Sequence, residues 1–178
     1  IRLKHLKEWI NAWSEEELFA GCSEPVGAED ARFLTALRSE SIRLSGDQVS
    51  GASTDIWKCF DQIDIKFLCE LLRLSGCPTQ VITAYSSVNA GCTYDNTIAG
   101  GVGEPHRHPC SITQGCPFSM TMVGFLLSPW ARFTRTLNAV PRALANDILI
   151  SAHGPGHLVR LKSGYSGTFS YLHCIGAR

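Results

Sequence analysis

The sequence predicts an α+β domain in which helices pack on one face of an antiparallel sheet. Two observations carry this prediction. Several long segments repeat apolar residues at helical spacing, and shorter segments bounded by glycine alternate in the manner of paired strands. They follow one another as helices, strand, helices, hairpin, helix, hairpin and helix, an order typical of the α+β class. With 178 residues and 44% apolar content, the chain suits a single folding unit with a core.

The N-terminal third is predicted to be helical. Apolar residues recur at helical spacing over residues 3–13. Ser14 followed by Glu17 matches a capping box and predicts that a second helix begins there. Proline and glycine break the chain at residues 25–27, and residues 30–44 continue as helix.

The remaining elements follow from the same patterns. In the middle of the chain we expect a strand at 52–57, a helix from Ile63 to the stop signal Gly76-Cys77-Pro78, a helix at 79–88, and a hairpin of strands 92–98 and 102–108 around Gly100-Gly101. Towards the end we expect a helix at 119–137 kinked by Pro129, two strands within 142–150 joined by a turn at Asn146-Asp147, and a helix at 155–175 weakened by Gly164 and Gly167.

Charge and cysteine usage limit the function classes. Lys plus Arg and Asp plus Glu are 16 each, so any nucleic-acid binding must rest on local sites. The longest apolar stretch, residues 120–127, is too short to span a membrane. We expect an intracellular protein, nuclear or cytoplasmic and not secreted. Cysteines at irregular spacing predict buried free thiols in a reducing compartment: Cys59, Cys69, Cys77, Cys110, Cys116 and Cys174.

The first candidate motif lies at the end of the predicted strand 52–57. It reads Asp55-Ile-Trp-Lys-Cys-Phe60-Asp61, and a carboxylate at such a place points out of the sheet edge. Taken alone, the pattern D-x-x-x-x-F-D is a weak signal of catalysis.

The second candidate motif, Gln114-Gly115-Cys116-Pro117-Phe118-Ser119, joins a hairpin to a helix. Gly115 lets the backbone approach a ligand closely, and Pro117 suits the first turn of a helix. Free N–H groups at that helix start would face an anionic ligand. The alternative is an ordinary strand-to-helix loop.

The third candidate motif is Leu144-Ala145-Asn146-Asp147, which Arg142 precedes and an apolar segment follows. A polar pair at the tip of an apolar hairpin is unusual. The alternative is a β-turn in which Asn and Asp have their normal turn role.

Taken in this order, the three motifs resemble the reverse transcriptases of non-LTR retroelements and group II introns. The resemblance covers residues 51–178 and includes Asn96-Thr97-Ile98-Ala99-Gly100-Gly101 and Pro129-Trp130. It implies a polymerase palm at 51–178, truncated at its C-terminus so that the thumb is absent. Residues 1–50 would then be a partial, mostly helical fingers region.

The resemblance also implies an RNA-directed DNA polymerase and assigns roles to named residues. Asp55, Asn146 and Asp147 map to the metal-binding carboxylates, so Asp55 and Asp147 would hold Mg²⁺ or Mn²⁺, with two ions expected in an intact member of the family. Phe60 maps to the aromatic residue under the sugar. Gln114 and Gly115 map to the loop that contacts nucleotide and template. Lys58 would lie near the triphosphate, or else be a solvated lysine.

Two departures from the family predict an impaired enzyme. Asn146 stands where the family has aspartate, which removes one negative charge from a site for two dications. The truncation would remove the grip on the duplex. The alternative function is a catalytically dead palm remnant that folds and at most binds nucleic acid. The expected partners are an RNA template, a DNA primer and dNTP, with no membrane, and flanking domains of a longer polyprotein.

Other catalytic or metal-binding patterns are weaker. His106-x-His108 and the pair His153 and His157 lack accompanying cysteines, and a Gly-Pro-Gly break separates the second pair, so surface histidines are favoured. Ser111 and Ser119 lack the surroundings of a hydrolase nucleophile.

Overall fold

The fold is seen in a computed structural model that describes residues 6–107 and 111–177. These residues form an α+β arrangement, which confirms the predicted class. None of the helices that they form has both the length and the apolar character needed to cross a membrane. The elements are α1 (Lys7–Trp13), α2 (Ala28–Leu44), β1 (Val49–Asp55), α3 (Cys59–Gln62), α4 (Ile65–Leu74), α5 (Thr79–Gly91), β2 (Thr97–Ile98), β3 (Gly101–Val102), α6 (Pro117–Thr136), β4 (Val140–Leu144), β5 (Asp147–His153) and α7 (His157–Cys174).

The main sheet has three antiparallel strands in the order β1-β5-β4. Its side chains alternate between two different environments, as the pleat of a strand requires. Ala143, Ile148 and Ile150 are buried on the face against which α6 and α7 pack. Asp55 and Arg142 lie on the opposite face, which we call the open face.

Helix α2 lies across the open face and is separated from it by a cleft of about 670 Å³. The helix therefore departs from the expectation that helices pack on one face only. Ala31 is its one buried residue, whereas Phe33 and Leu37 remain 65% and 55% exposed. The loose fit of α2 leaves room for a ligand above the sheet.

The core forms around α6, which is buried on most of its circumference. Pro129 lies inside this helix, and the helix continues through it to Thr136. Trp130 is fully buried between α6 and α7. Gly164 and Gly167 do not interrupt α7. A Cβ at either position would lie 2.9 Å from a neighbouring side chain, so the two glycines allow α7 to pack closely.

The helix predicted to begin at Ser14 is absent from the structure. Leu18 instead forms a parallel bridge with Ala143 of β4. Phe19 N–H donates to Ala143 O, and Ala143 N–H donates to Glu17 O, both at 2.9 Å. The free edge of β4 thus supplies backbone partners that compete with the local capping box, and Ser14 Oγ accepts a hydrogen bond from Ser23 N–H instead.

The hairpin predicted at 92–98 and 102–108 is much shorter than expected. Strands β2 and β3 have two residues each, and beyond them Tyr94 and His106 form an isolated bridge. The turn consists of Ala99 and Gly100, one residue earlier than predicted. The strands are exposed and have no apolar face to bury, which explains their short length. His108 lies outside the described residues.

Two other elements have boundaries that differ from the predicted ones. The predicted strand 52–57 runs from Val49 to Asp55, and the predicted helix from Ile63 begins at Ile65 because the Asp64 carboxylate caps it. The described cysteines are free thiols, as expected, although Cys116 is only half-buried and Cys174 is exposed; Cys110 lies outside the described residues. Burial raises the pKa of the Cys59 thiol to about 11, so this thiol is poorly reactive.

Candidate functional site

The centre of the site is the tip of the β4-β5 hairpin beside the end of β1. Asp55 is the register partner of Asp147 across the β1-β5 pair. Paired residues in antiparallel strands have Cα atoms about 4.5–5.5 Å apart. The structure therefore brings together two carboxylates that are far apart in the sequence, and both are exposed.

The turn of this hairpin consists of Ala145 and Asn146, not of Asn146 and Asp147 as predicted. Leu144 pairs with Asp147, so Asp147 is the first residue of β5. The register is fixed by the apolar residues that follow, since a shift by one position would turn Ile148 to the open face. As a result Ala145 takes a positive φ of 56°.

Asn146 joins the two halves of the site. Its backbone carbonyl accepts a hydrogen bond from Ile56 N–H at 3.1 Å, and its side-chain Nδ2 donates to Asp55 Oδ1. A carboxylate is only an acceptor of hydrogen bonds, so the amide must present its N–H to Asp55. The amide oxygen is thereby turned away from this carboxylate.

The oxygen atoms at this place suit one divalent ion. Mg²⁺ prefers hard oxygen ligands, and the site offers the carboxylates of Asp55 and Asp147. The neighbouring Asn146 contributes a neutral amide and no third carboxylate, and its N–H group faces Asp55. No cluster of three or more His, Cys, Asp or Glu side chains that could hold a metal occurs within residues 6–107 and 111–177. An ion here would thus depend on two protein carboxylates, with water or a bound substrate completing its shell.

The Gln114-Gly115 turn is exposed, and Gly115 has a φ of +82°. Ser119 Oγ donates to Thr113 O at 2.7 Å, which fixes the turn to the first turn of α6. Pro117 begins that helix, as the sequence predicted. A Cβ at Gly115 would meet no atom within 4 Å, so only the backbone conformation requires glycine.

Phe60 connects this turn to the aspartate motif. Its side chain is half-buried against the core, and its carbonyl accepts a hydrogen bond from Ile112 N–H at 2.9 Å. Ser111 Oγ also donates to Asp61 Oδ1 at 3.5 Å. The segment that leads to Gln114 is therefore bound to the residues that follow Asp55.

The position of Lys58 favours a solvated lysine over a residue near the triphosphate. It precedes α3 in the left-handed region with a φ of 46°, and it is exposed. Its Nζ lies 4.8 Å from the centre of the Trp57 ring, a cation–π distance. A role at the triphosphate remains a prediction.

The cleft under α2 adds residues that the motifs did not include. Asp55 and Asp147 line it, and so do Arg32 of α2 and Arg142 of β4. In the sequence Arg142 lies two residues before the third motif, and no pattern marks it as a site residue. It shares the lining of this cleft with residues of α2, and no local pattern in the sequence predicts that proximity.

Comparison with protein-family models gives no match to this chain, and no curated protein matches it either.

Proposed function

We propose that this chain is the palm, with part of the fingers, of a reverse transcriptase: an RNA-directed DNA polymerase whose own site is impaired. The observation that carries the proposal is the pairing of Asp55 with Asp147 at the open tip of a hairpin. Nucleotidyl transfer by this class of enzyme needs carboxylates held together at one place. These two come from separate motifs, and the sheet register supplies the proximity that the chemistry requires.

In this proposal residues 51–178 form the palm and residues 1–50 belong to the fingers. The partners are an RNA template, a DNA primer and dNTP, and the compartment is nuclear or cytoplasmic. Further domains of a longer polyprotein would flank the chain. Support for the substrates comes from the cleft beside the carboxylates and from the exposed Gln114-Gly115 turn.

Asp55 and Asp147 would hold the divalent ion, Mg²⁺ or Mn²⁺. When bound, such an ion favours ionisation of the primer hydroxyl and neutralises charge on the triphosphate. The backbone groups at Gly115 are open to a nucleotide, and Phe60 supports the turn through its carbonyl. In this proposal the nucleotide would contact the Gly115 backbone and the ion held by the two carboxylates.

Asn146 is the reason to expect weak activity. An aspartate there would add a third negative charge next to Asp55, whereas the amide adds none and donates a hydrogen bond to it. A carboxylate that already accepts an N–H group is a poorer metal ligand, because the ion must displace that donor. We expect lower metal affinity and slow turnover as a result.

Primer extension tests the proposal, with the chain produced in its full reading frame. The native protein, Asn146→Asp, and the double variant Asn146→Asp/Asp147→Asn would be assayed on an RNA template with a DNA primer. We expect extension by Asn146→Asp to exceed that of the native protein by at least tenfold, and the double variant to lose it. Equal extension by the native protein and Asn146→Asp would contradict the proposed impairment.

The second candidate function is a catalytically dead remnant that folds and at most binds nucleic acid. The hydrogen bond from Asn146 to Asp55 favours it, because this bond joins the hairpin to β1 without any metal. The two candidates differ in their response to Asn146→Asp. A remnant with further lesions would stay inactive after the substitution, while an enzyme damaged at one ligand would recover.

A further inference from the structure

Arg142 is a buried charge for which the proposed mechanism has no use. It lies on the open face of the sheet, where its register partner is Leu149, and its side chain is only 7% exposed. Phe19 and the α2 residues Leu34 and Leu37 line the same cavity as Arg142. A guanidinium group in such a place loses its hydration and needs a partner.

Few groups of the protein offset the buried positive charge of Arg142. Within the described residues its side chain makes one hydrogen bond, from Nη1 to Ser151 Oγ at 3.4 Å, and it has no carboxylate within 4.0 Å. Glu17, the nearest buried acid, pairs instead with Arg135 at 3.7 Å. Burial and the nearby Arg38 guanidinium lower the pKa of Arg142, while Glu17 and Glu16 act in the opposite direction.

Arg142 lines two cavities that have space for a ligand. One is the 670 Å³ cleft, which Asp55, Asp147 and Arg32 also line. The other is a cavity of about 340 Å³. Its charged lining residues are Arg38, Arg142, Glu16 and Glu17. Two guanidinium groups thus face one cavity, and one of the two opposing acids is already engaged with Arg135.

We propose that Arg142, together with Arg38, binds a phosphate group in the 340 Å³ cavity that both residues line. A guanidinium group matches two phosphate oxygens at once, and a ligand charge would compensate the buried cation. Arg142 lies opposite Leu149, two residues along β5 from Asp147, or about 7 Å along the strand. The phosphate would belong to a nucleotide or to a nucleic-acid strand whose neighbouring unit is at the carboxylates. This identity rests on the proposed function, but the anion site itself does not.

The first test measures anion binding in EDTA, so that no metal contributes. Pyrophosphate, dATP and a short single-stranded oligonucleotide would be titrated into the native protein, Arg142→Met and Arg38→Gln. Arg43→Gln is the matched control, because Arg43 lies on the same helix and forms an exposed pair with Glu40. We expect about tenfold weaker binding for Arg142→Met, a smaller loss for Arg38→Gln and no loss for the control.

The ligands distinguish two sources of the phosphate. Binding of pyrophosphate and dATP that depends on Arg142 would identify a nucleotide phosphate, and such binding of the oligonucleotide would identify a strand phosphate. Either result supports the site. Native protein that binds none of the three would overturn it, as would equal binding by native protein and Arg142→Met.

Thermal unfolding without ligand separates this site from a purely structural role. Replacing a buried, uncompensated charge by Met costs little or stabilises a protein, so Arg142→Met should melt at the native temperature or above it. If Arg142 instead serves to neutralise Glu17, the variant should melt several degrees lower and Glu17→Gln should rescue it. That pattern would overturn the proposal. Anion binding that depends on Arg142, combined with no primer extension by any variant, would retain the site and reject the polymerase.

Discussion

The indole N–H of Trp130 donates a hydrogen bond to Thr168 Oγ1 at 2.8 Å, and both side chains are fully buried between α6 and α7. The Thr168 hydroxyl in turn donates to Gly164 O at 2.8 Å. The first of these bonds joins α6 to α7 beneath the sheet, and the second lies within α7. The first bond also gives the indole N–H its partner in a place that water does not reach.

Thr168→Val should lower the free energy of unfolding by about 1–3 kcal/mol, because it leaves the buried indole N–H without an acceptor. Urea denaturation measures the change. Thr168→Ser is the matched control, since it keeps the hydroxyl and loses only a methyl group. Equal losses in the two variants would mean that packing, and not the hydrogen bond, is what Thr168 contributes.

Gly164→Ala should destabilise the protein although alanine favours helix. The added Cβ would lie 2.9 Å from Ala139 Cβ and 3.0 Å from Ile150 Cγ2, which is closer than carbon atoms pack. Overpacking should cost about 1–3 kcal/mol and the gain in helix propensity is about 1 kcal/mol, so we expect a net loss of about 1 kcal/mol. Chemical denaturation tests this expectation.

Gly91→Ala provides the comparison for that variant. Gly91 is the last residue of α5, and a Cβ there would meet no atom within 4 Å. It should leave stability unchanged or raise it by up to about 1 kcal/mol. If both alanine variants stabilise the protein, α7 can move away from the sheet more easily than its packing indicates.

Glu15 should contribute to stability in a manner that depends on pH. Burial acts to raise the pKa of its carboxyl, but hydrogen bonds from Arg132 and Arg135 outweigh burial and hold the pKa below its ordinary value of 4.5. A group with a depressed pKa in the folded state stabilises it above the unfolded-state pKa. This contribution is lost as the pH falls through the folded-state pKa.

Glu15→Gln should therefore cost about 0.5–1 kcal/mol at pH 7, and the difference from the native protein should vanish well below pH 4.5. Denaturation curves at several pH values give the comparison. Glu104→Gln, in the exposed loop after β3, is the control and should show no such trend. A difference that stays constant across this range would show that the Glu15 charge is not what stabilises the fold.

The sequence predicted the parts of the fold that depend on local pattern. Helices α5 and α6 were expected near their observed bounds, because apolar periodicity and stop signals act within a few residues. The proximity of Asp55 and Asp147 followed from the resemblance. It could not be obtained from the residues alone, since the β1-β5 pairing is a long-range contact.

Predictions failed where distant parts of the chain compete with local signals. The capping box at Ser14 is normal in pattern, yet Leu18 bridges to Ala143 far along the chain. Asn146-Asp147 has the composition of a turn, but burial of Ile148 fixes the register one residue earlier. The cavity that Arg142 lines is formed with Phe19 and with residues of α2, which are far from it in the sequence. In each case the free energy gained by tertiary packing exceeds that of the local preference.

Asn146→Asp should give the hairpin a measurable affinity for Mn²⁺. The substitution removes the N–H group that Asp55 accepts and places a third carboxylate at the site. Charge at this range dominates the local energy, so Mn²⁺ should bind at least tenfold more tightly than to the native protein. Without metal the three carboxylates repel one another, so the variant should melt below the native protein and recover when Mn²⁺ is added. Electron paramagnetic resonance of free Mn²⁺ and thermal melts measure the two effects.

Asn138→Asp is the control for added charge. Asn138 is exposed between α6 and β4 with a φ of 56°, a conformation that aspartate also tolerates. It adds the same negative charge to the protein away from Asp55, so it should change neither Mn²⁺ binding nor the response of the melt to Mn²⁺. If both variants bind Mn²⁺ as weakly as the native protein does, the amide at Asn146 is not what limits the metal site, and Asp55 and Asp147 lack the geometry to hold an ion.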